Sequence, residues 1–315
     1  MTIELTRRTW LTTTAAAVCG GVAMEPSPAA AEEKKEREPF RYGLNTATLM
    51  GQKLSIVEEV EIASRAGYQA LEPWVRELEQ YVKDGGSLKD LGKRIADRGL
   101  SVESAIDFPE WIVDDDAKRK KGLENARRGM DMVKQIGGKR IAAPPAGATN
   151  KSDMPLLTVA QRYRALLDIG AEIGVVPQLE VWGFSKTLGR LGEAVCAAIE
   201  SGHRQACILA DVYHLYKGGS GFEGVNLLAS SAIHVLHMND YPADPPRETI
   251  ADKNRIYPGE GVAPLKTFLR DLRRIGFRGV LSLELFNQEY WKRDALAVAR
   301  TGLDKMRAVV ARSLE

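Results

Sequence analysis

Four short segments of the chain each end an apolar run on one ionisable side chain. The runs end at Glu180, Asp211, His237 and Glu284, and each has the composition of a buried strand. A carboxylate buried at such a strand end is costly in free energy unless it is paired with a cation or binds a metal. If the four strand ends converge, they offer carboxylate and imidazole ligands that suit one divalent cation.

The segments around these strands predict how the strand ends are arranged. From Phe40 onwards, short strand patterns alternate with helical patterns, most of which end at a glycine, and this gives eight strand–helix units. The alternation predicts an α/β fold with a parallel sheet, and eight units in 315 residues predict a single (β/α)8 TIM barrel. An open, doubly wound sheet is disfavoured, because residues 44–48 after the first strand are not a glycine-rich phosphate-binding turn.

In a barrel of this kind the C-terminal ends of the strands surround one mouth, where catalytic groups lie. The four strand-end residues then fall on the adjacent strands five to eight. Other side chains are candidates for the mouth by their position alone, and for the two tryptophans ordinary packing is the open alternative. These candidates are Glu72, Glu103, Trp74, Trp182 and Lys217.

The four strand ends resemble a known family when two further motifs are considered. These motifs are Asp211-x-x-His214 and the run from Arg255 to Gly261. Together they resemble the sugar phosphate isomerase/epimerase family of xylose isomerase-like barrels, over roughly residues 40–315. The resemblance implies one bound divalent ion, with manganese first and magnesium, cobalt or zinc as alternatives. Its implied ligands are Glu180, Asp211, His237 and Glu284.

The same resemblance implies the chemistry. A bound cation would polarise a sugar carbonyl, and carboxylates beside it would move the weakly acidic neighbouring proton through an enediolate. Glu180 and Glu284 are the implied catalytic residues, which transfer protons on opposite faces of the substrate. His214 and Arg255 match substrate-contacting positions, and Glu72, Trp74, Trp182 and Lys217 are further candidates for substrate binding.

Three other functions compete with an isomerase or epimerase of a free sugar or keto-sugar. A lyase or dehydratase that eliminates beside a keto group needs the same metal and base, so the sequence leaves it open. A non-catalytic sugar-binding barrel is disfavoured by Glu180 and Glu284. A three-zinc DNA-repair endonuclease on this barrel is disfavoured because the chain has only four histidines and a net charge of +2.

The first residues predict an exported protein. Arg7 and Arg8 form a twin-arginine pattern, and a mildly apolar stretch and an A-x-A type cleavage site follow. We therefore expect an export signal over residues 1–31, a charged linker over residues 32–39, the barrel over residues 40–315, and a periplasmic location. Cys196 and Cys207 are expected to be free thiols, with a disulfide between them left open.

The expected partner is a small carbohydrate. Near-balanced charge gives no reason to expect nucleic acid, and no apolar run of transmembrane length predicts a membrane anchor after removal of the signal. Self-association is left open. The long connection over residues 240–254 is expected to be a lid or a specificity element.

Overall fold

Eight parallel strands form the centre of the protein, which a computed structural model describes over residues 38–315. The strands are β1 Arg41–Asn45, β2 Ala70–Glu72, β3 Ser101–Val102, β4 Arg140–Ala143, β5 Val176–Glu180, β6 Ile208–Asp211, β7 Ile233–Met238 and β8 Val280–Leu283. Their order around the sheet is β3-β2-β1-β8-β7-β6-β5-β4. At the seam, the N–H of Ala105 donates to the carbonyl of Arg140 (3.1 Å) and that of Ala142 donates to Ala105 (2.8 Å). The sheet is therefore closed into the predicted (β/α)8 TIM barrel.

Helices surround the strands and account for most of the remaining chain. They are α1 Ile56–Ala66, α2 Val75–Lys83, α3 Leu88–Asp97, α4 Asp116–Gln135, α5 Leu156–Ile173, α6 Leu191–Glu200, α7 Val212–Lys217, α8 Leu265–Arg274 and α9 Ala295–Leu314. Short 3-10 helices cover Thr46–Gln52, Phe222–Leu227, Ser230–Ala232 and Asp252–Asn254.

The segment before β7 contains two 3-10 helices, Phe222–Leu227 and Ser230–Ala232, where the sequence pattern predicts a weak α-helix around residues 225–231. Gly224 lies inside the first of them and disfavours a regular α-helix there, because glycine loses more conformational freedom in a helix than other residues do.

Two helices that the sequence pattern does not predict begin within three residues of a strand end. Helix α2 starts after Trp74, whose N–H donates to the Glu77 carboxylate (2.9 Å). Helix α7 starts after Asp211, whose Oδ1 accepts the N–H of His214 (2.9 Å). Residues 212–216 are apolar and aromatic and resemble a continued strand, but the aspartate caps a helix there instead. This cap places His214 one turn beyond the strand end.

Apolar side chains fill two separate regions. The larger region lies between the strands and the helices, whereas a smaller cluster, whose residues lie on the strands or shortly after them, fills the barrel interior. The interior cluster consists of Ala47, Ala70, Trp74, Ile106, Ala142, Leu209, Val235 and Val280. Both described cysteines are free thiols, as expected.

The predictions for the N-terminus lie largely outside the described residues. The proposed signal over residues 1–31 and the linker up to residue 37 belong to that part of the chain. Within residues 38–315, no helix has the length and apolar character that a membrane span requires.

Candidate active site

The imidazole of His237 lies among buried carboxylates at the C-terminal ends of β5 to β8. Its Nδ1 atom is 3.2 Å from Oε2 of Glu284, 3.6 Å from Oδ2 of Asp211 and 3.7 Å from Oε1 of Glu180. None of these four side chains belongs to a residue more than 4% exposed. The barrel therefore brings together the four strand-end residues that the sequence singled out.

Three of the four form the tightest group. One ligand atom from each of Asp211, His237 and Glu284 lies within 4.8 Å of the other two, and all three residues are buried. Glu180 stands slightly apart from this set, and its Oε2 has no hydrogen-bond partner among the described residues. Burial raises the pKa of Glu180 to about 8, with His237 acting against the rise and Glu284 and Asp211 adding to it.

Arg255 joins two members of the cluster from the far end of the long connection after β7. Its Nη1 donates to Oδ2 of Asp211 (2.8 Å) and to Oε2 of Glu284 (2.7 Å). Its Nη2 donates to Asp252 (2.5 Å) and lies 3.1 Å from Nε2 of His214. The guanidinium is almost fully buried, and its own Nε has no hydrogen-bond partner among the described residues.

The loop over residues 240–254 places this arginine. Asp240 and Ile256 exchange two backbone hydrogen bonds of 3.0 and 2.9 Å, so the loop leaves and returns at the same point of the mouth. The Asp240 carboxylate also accepts the N–H groups of Tyr241, Gly259, Gly261 and Ala263. Buried acceptors of this kind hold irregular backbone in one conformation. Asp240 therefore fixes the turn that follows Arg255.

His214 lies beside the cluster and is neutral near physiological pH. Burial lowers the pKa of His214 to about 4, and Asp211 only partly opposes this effect. For Asp211 itself, burial is the largest effect and disfavours the charged form, but Arg255 and His214 outweigh it and lower the pKa of Asp211. Nδ1 of His214 is buried and has no hydrogen-bond partner among the described residues. It is thus available to a bound molecule.

Glu72 lies on the other side of His237. Its Oε2 is 3.1 Å from Nε2 of His237, and it accepts hydrogen bonds from Ser282 (2.7 Å) and Asn45 (3.0 Å). Asn45 also donates to Oε1 of Glu284 (3.1 Å). The sequence proposed Glu72 as a substrate contact, whereas its surroundings favour support of His237.

Trp74 and Trp182, which the sequence predicts at the mouth, belong to a ring of aromatic groups around it. The ring, here called the aromatic collar, includes three phenylalanines that the sequence analysis missed. In spatial order it consists of Phe286, Trp74, Phe108, Trp182, Phe184 and His214, with successive centroids 6.2, 5.0, 5.6, 5.2 and 5.6 Å apart. Arg255 closes the ring, because its guanidinium lies 5.0 Å from the Phe286 ring and contacts His214.

Two candidates for the mouth do not join the cluster. Glu103 is wrong as a mouth residue, because it forms ion pairs with Arg41, Lys139 and Arg140 at the N-terminal end of the barrel. The Lys217 ammonium group donates to the backbone carbonyls of residues 247 and 248, both at 3.0 Å. Lys217 thus fastens the long loop, and the structure shows no contact between its ammonium group and the cluster.

Sequence reasoning also missed the asparagines that hold the cluster. Asn239 donates to both carboxylate oxygens of Asp211 (3.3 and 3.2 Å) and accepts the N–H of Tyr213 (2.9 Å). Asn45 contacts Glu72 and Glu284 as described above. Both asparagines are fully buried and lie at or just after strand ends, and that position was the available signal.

The donor set fits a divalent cation. Four buried carboxylates, those of Glu72, Glu180, Asp211 and Glu284, lie around one imidazole and one guanidinium. Negative charge in excess inside a protein is costly unless a cation offsets it. Carboxylate oxygens with one imidazole nitrogen suit manganese or zinc, among others. The group of Asp211, His237 and Glu284 could therefore bind a metal.

The family model for the xylose isomerase-like TIM barrel matches residues 60–309, which is most of the chain. The chain belongs to the xylose isomerase-like TIM-barrel family. Among its relatives in this family, the inosose isomerase of Bacillus velezensis is 26% identical over 275 residues, which cover 85% of this chain and 96% of the relative. The 3-dehydroshikimate dehydratase of Pseudomonas aeruginosa is 24% identical over 84% of this chain, but only 41% of that longer protein is matched.

A solved family structure shares the same fold. The IolI protein, crystallised with a zinc atom, superposes with a TM-score of 0.81 at 23% identity, over 87% of this chain and 99% of IolI. This likeness concerns the fold. The family therefore includes relatives described as an isomerase and as a dehydratase, and one whose structure holds zinc.

Proposed function

We propose that the protein is a divalent-metal-dependent isomerase or epimerase that acts beside the carbonyl of a sugar or keto-sugar. The observation that carries this proposal is the buried cluster in which Glu180, Asp211 and Glu284 all face one nitrogen of His237. The similarity to an inosose isomerase supports the reaction class. Manganese is the first candidate for the metal, and the zinc of IolI makes zinc the second.

Glu180, Asp211, His237 and Glu284 would hold the ion. When bound, it would polarise the substrate carbonyl and so make the proton on the neighbouring carbon more acidic. His237 would contribute Nδ1, which faces the three carboxylates, while Nε2 faces Glu72. A carboxylate on the second nitrogen orients a ligating imidazole and raises its basicity.

Proton transfer falls to the two glutamates, and their surroundings differ. Glu284 is held on both oxygens, by Asn45 and by Arg255. Glu180 keeps Oε2 unpartnered, so this oxygen is available to take a proton from the substrate. Glu284, which directly follows β8, would return a proton on the other face.

Arg255 and His214 would position the substrate. Nε of Arg255 and Nδ1 of His214 are buried polar atoms with no partner among the described residues, and buried groups of this kind are normally satisfied. Hydroxyl oxygens of a sugar are suitable partners for both. The aromatic collar would limit the access of water to the reacting carbons.

Dehydration is the second candidate, and the similarity to a 3-dehydroshikimate dehydratase favours it. Removal of a proton beside a carbonyl is the shared first step. If a hydroxyl or glycosidic oxygen stands on the next carbon, its departure converts isomerisation into elimination. The second glutamate would then protonate the leaving oxygen instead of carbon.

Product analysis by NMR in heavy water tests the proposal. Metal-loaded protein is incubated with a panel of free sugars, inososes, 3-keto-glycosides and 3-dehydroshikimate. Deuterium uptake without loss of water or aglycone supports an isomerase or epimerase, and release of water or aglycone supports the dehydratase. Binding of a panel member with no exchange at any carbon would contradict both and leave a sugar-binding barrel.

We also propose that the N-terminus is an export signal. It rests on Arg7 and Arg8 and the apolar stretch behind them, and a periplasmic enzyme would meet sugars that carry no phosphate.

A further inference from the structure

The aromatic collar has two parts that differ in exposure. Trp74 and His214 are only 7% and 3% exposed and contact the buried cluster through Asn45 and Arg255. Phe108 and Phe184 are 39% and 46% exposed, and the half-buried Trp182 lies between them. These last three residues are here called the outer arc. The outer arc leaves contiguous aromatic surface in water at the rim of the mouth.

The charges around the collar are placed unevenly. Arg76 lies over the Trp74 ring at 4.1 Å and Arg255 over the Phe286 ring at 5.0 Å. Within residues 38–315, no arginine or lysine makes such a contact with the outer arc. The nearby Lys217 is occupied by two backbone carbonyls. The ring faces of the outer arc are therefore covered by no cation of the described residues and stay available to a ligand.

The geometry of the outer arc resembles a binding surface more than a packing contact. Its two centroid separations, 5.6 and 5.2 Å, and its interplanar angles of 46° and 32° leave the rings tilted towards one another. Exposed apolar surface that is continuous with a site commonly marks a place where a ligand binds. Tilted or offset contacts with a further flat ring are the favourable geometry for aromatic side chains.

We propose that the outer arc is a subsite for a flat ring of the aryl type, attached to the substrate beyond the carbons that react. The substrate is then a two-part molecule. A polyhydroxy ring lies in the buried part, as the proposed function requires, and an aryl substituent lies against Phe108, Trp182 and Phe184. This inference rests on the proposed function only for the placement of the polyhydroxy ring.

Binding of matched glycosides tests the subsite. The probes are methyl and phenyl β-D-glucopyranoside and the corresponding galactosides, titrated calorimetrically into the manganese-loaded protein. We expect the phenyl compound of at least one pair to bind about tenfold more tightly than its methyl partner, given the strength of aromatic contacts. Phe184→Ala and Phe108→Ala should each reduce this ratio by roughly threefold, and Phe184→Leu should do so while keeping apolar bulk.

The control is Leu227→Ala, which removes a 92% exposed apolar side chain from a 3-10 helix outside the collar and should leave the ratio unchanged. The subsite is wrong if no phenyl glycoside binds more tightly than its methyl partner, or if the ratio survives in both alanine variants. Failure of the proposed function gives a different result. In that case no carbon exchanges deuterium, while the preference for phenyl compounds and its loss in the variants persist.

Discussion

Oε2 of Glu72 lies 3.1 Å from Nε2 of His237, on the side of the imidazole opposite to the other carboxylates. Ser282 and Asn45 hold this carboxylate in place by hydrogen bonds of 2.7 and 3.0 Å. The pair thus resembles the carboxylate–histidine arrangement that orients metal ligands in proteins. Glu72 would act on the metal through His237.

Glu72→Gln should therefore weaken metal binding by roughly 10- to 100-fold, the range seen when such a supporting carboxylate is lost. Calorimetric titration with manganese and with zinc measures the effect. In a His237→Ala background, Glu72→Gln should have little further effect on metal binding, because the imidazole that Glu72 orients is then absent. Full additivity of the two substitutions would place the influence of Glu72 elsewhere, for example on the substrate.

Metal content depends on the buried cluster. Purified protein should carry about one divalent ion, which a chelator removes, and Asp211→Ala or His237→Ala should lower metal content sharply. Each substitution takes away one ligand and leaves the charge of Arg255 close to the site. Elemental analysis measures the content. Glu103→Gln changes a carboxylate at the opposite end of the barrel and should keep full occupancy. Full occupancy in both cluster variants would contradict the ligand assignment.

The two glutamates should differ when each is replaced by glutamine. A glutamine keeps an oxygen for coordination but cannot accept a proton, so turnover should fall by roughly 10²- to 10⁴-fold in either variant. We expect Glu180→Gln to abolish deuterium uptake at the carbon beside the carbonyl, because Oε2 of Glu180 is unpartnered. Glu284→Gln should also weaken the contact with Arg255. Near-normal turnover of the metal-loaded Glu180 variant would show that Glu180 binds the metal but does not transfer the proton.

Glu59, on α1, gives a pH-dependent contribution to stability that is independent of the site. The residue is 2% exposed, and its Oε2 has no partner among the described residues. Burial, reinforced by the charges of Glu77 and Glu58, raises the pKa of Glu59 well above its ordinary value of 4.5. The folded protein therefore binds the Glu59 proton more tightly than the unfolded chain does. The resulting stabilisation of the fold is complete below pH 4.5 and is lost as the pH rises through the folded-state pKa of Glu59.

Glu59→Gln mimics the protonated acid, so it should change the melting temperature little at pH 4 and raise it at pH 8. Thermal unfolding followed by circular dichroism over this pH range measures the difference. Glu124→Gln, at an exposed position on α4 that does not influence Glu59, serves as the control and should show no such gain at pH 8. An equal shift at both pH values would show that the effect does not come from ionisation.

Export should depend on the two consecutive arginines. A substitution of both Arg7 and Arg8 by lysine is expected to retain the protein in the cytoplasm, because the twin-arginine pattern is an address read by a receptor. Fractionation followed by N-terminal sequencing measures this, and the exported protein should begin near Ala31 or Glu32. Unchanged export of the double variant would rule out the twin-arginine route.

The sequence by itself determined the barrel and the four residues at its centre. Alternation of strand and helix patterns is a local property of the chain, and so is an ionisable residue that ends an apolar run. Once the strands are parallel, their C-terminal ends must lie at one mouth. Glu180, Asp211, His237 and Glu284 could therefore be selected without knowledge of any contact.

The roles of the surrounding residues depended on tertiary structure. Glu72 and Glu103 each end a predicted strand, yet one lies behind His237 and the other among cations at the opposite end. The strands of a barrel are staggered, so Ala105, three residues after the short β3, meets the first residues of β4, and Glu103 lies beside Lys139 and Arg140. No local pattern in the sequence contains that stagger.

The same reason applies to the collar and to Arg255. Phe108 and Phe184 are ordinary loop residues in the sequence, and only the closure of the barrel places both beside Trp182. The chain separates Arg255 from Asp211 by 44 residues, and the backbone pairing of Asp240 with Ile256 closes that distance. Local propensity selects strands and helices, whereas contacts between distant segments are decided by how those elements pack.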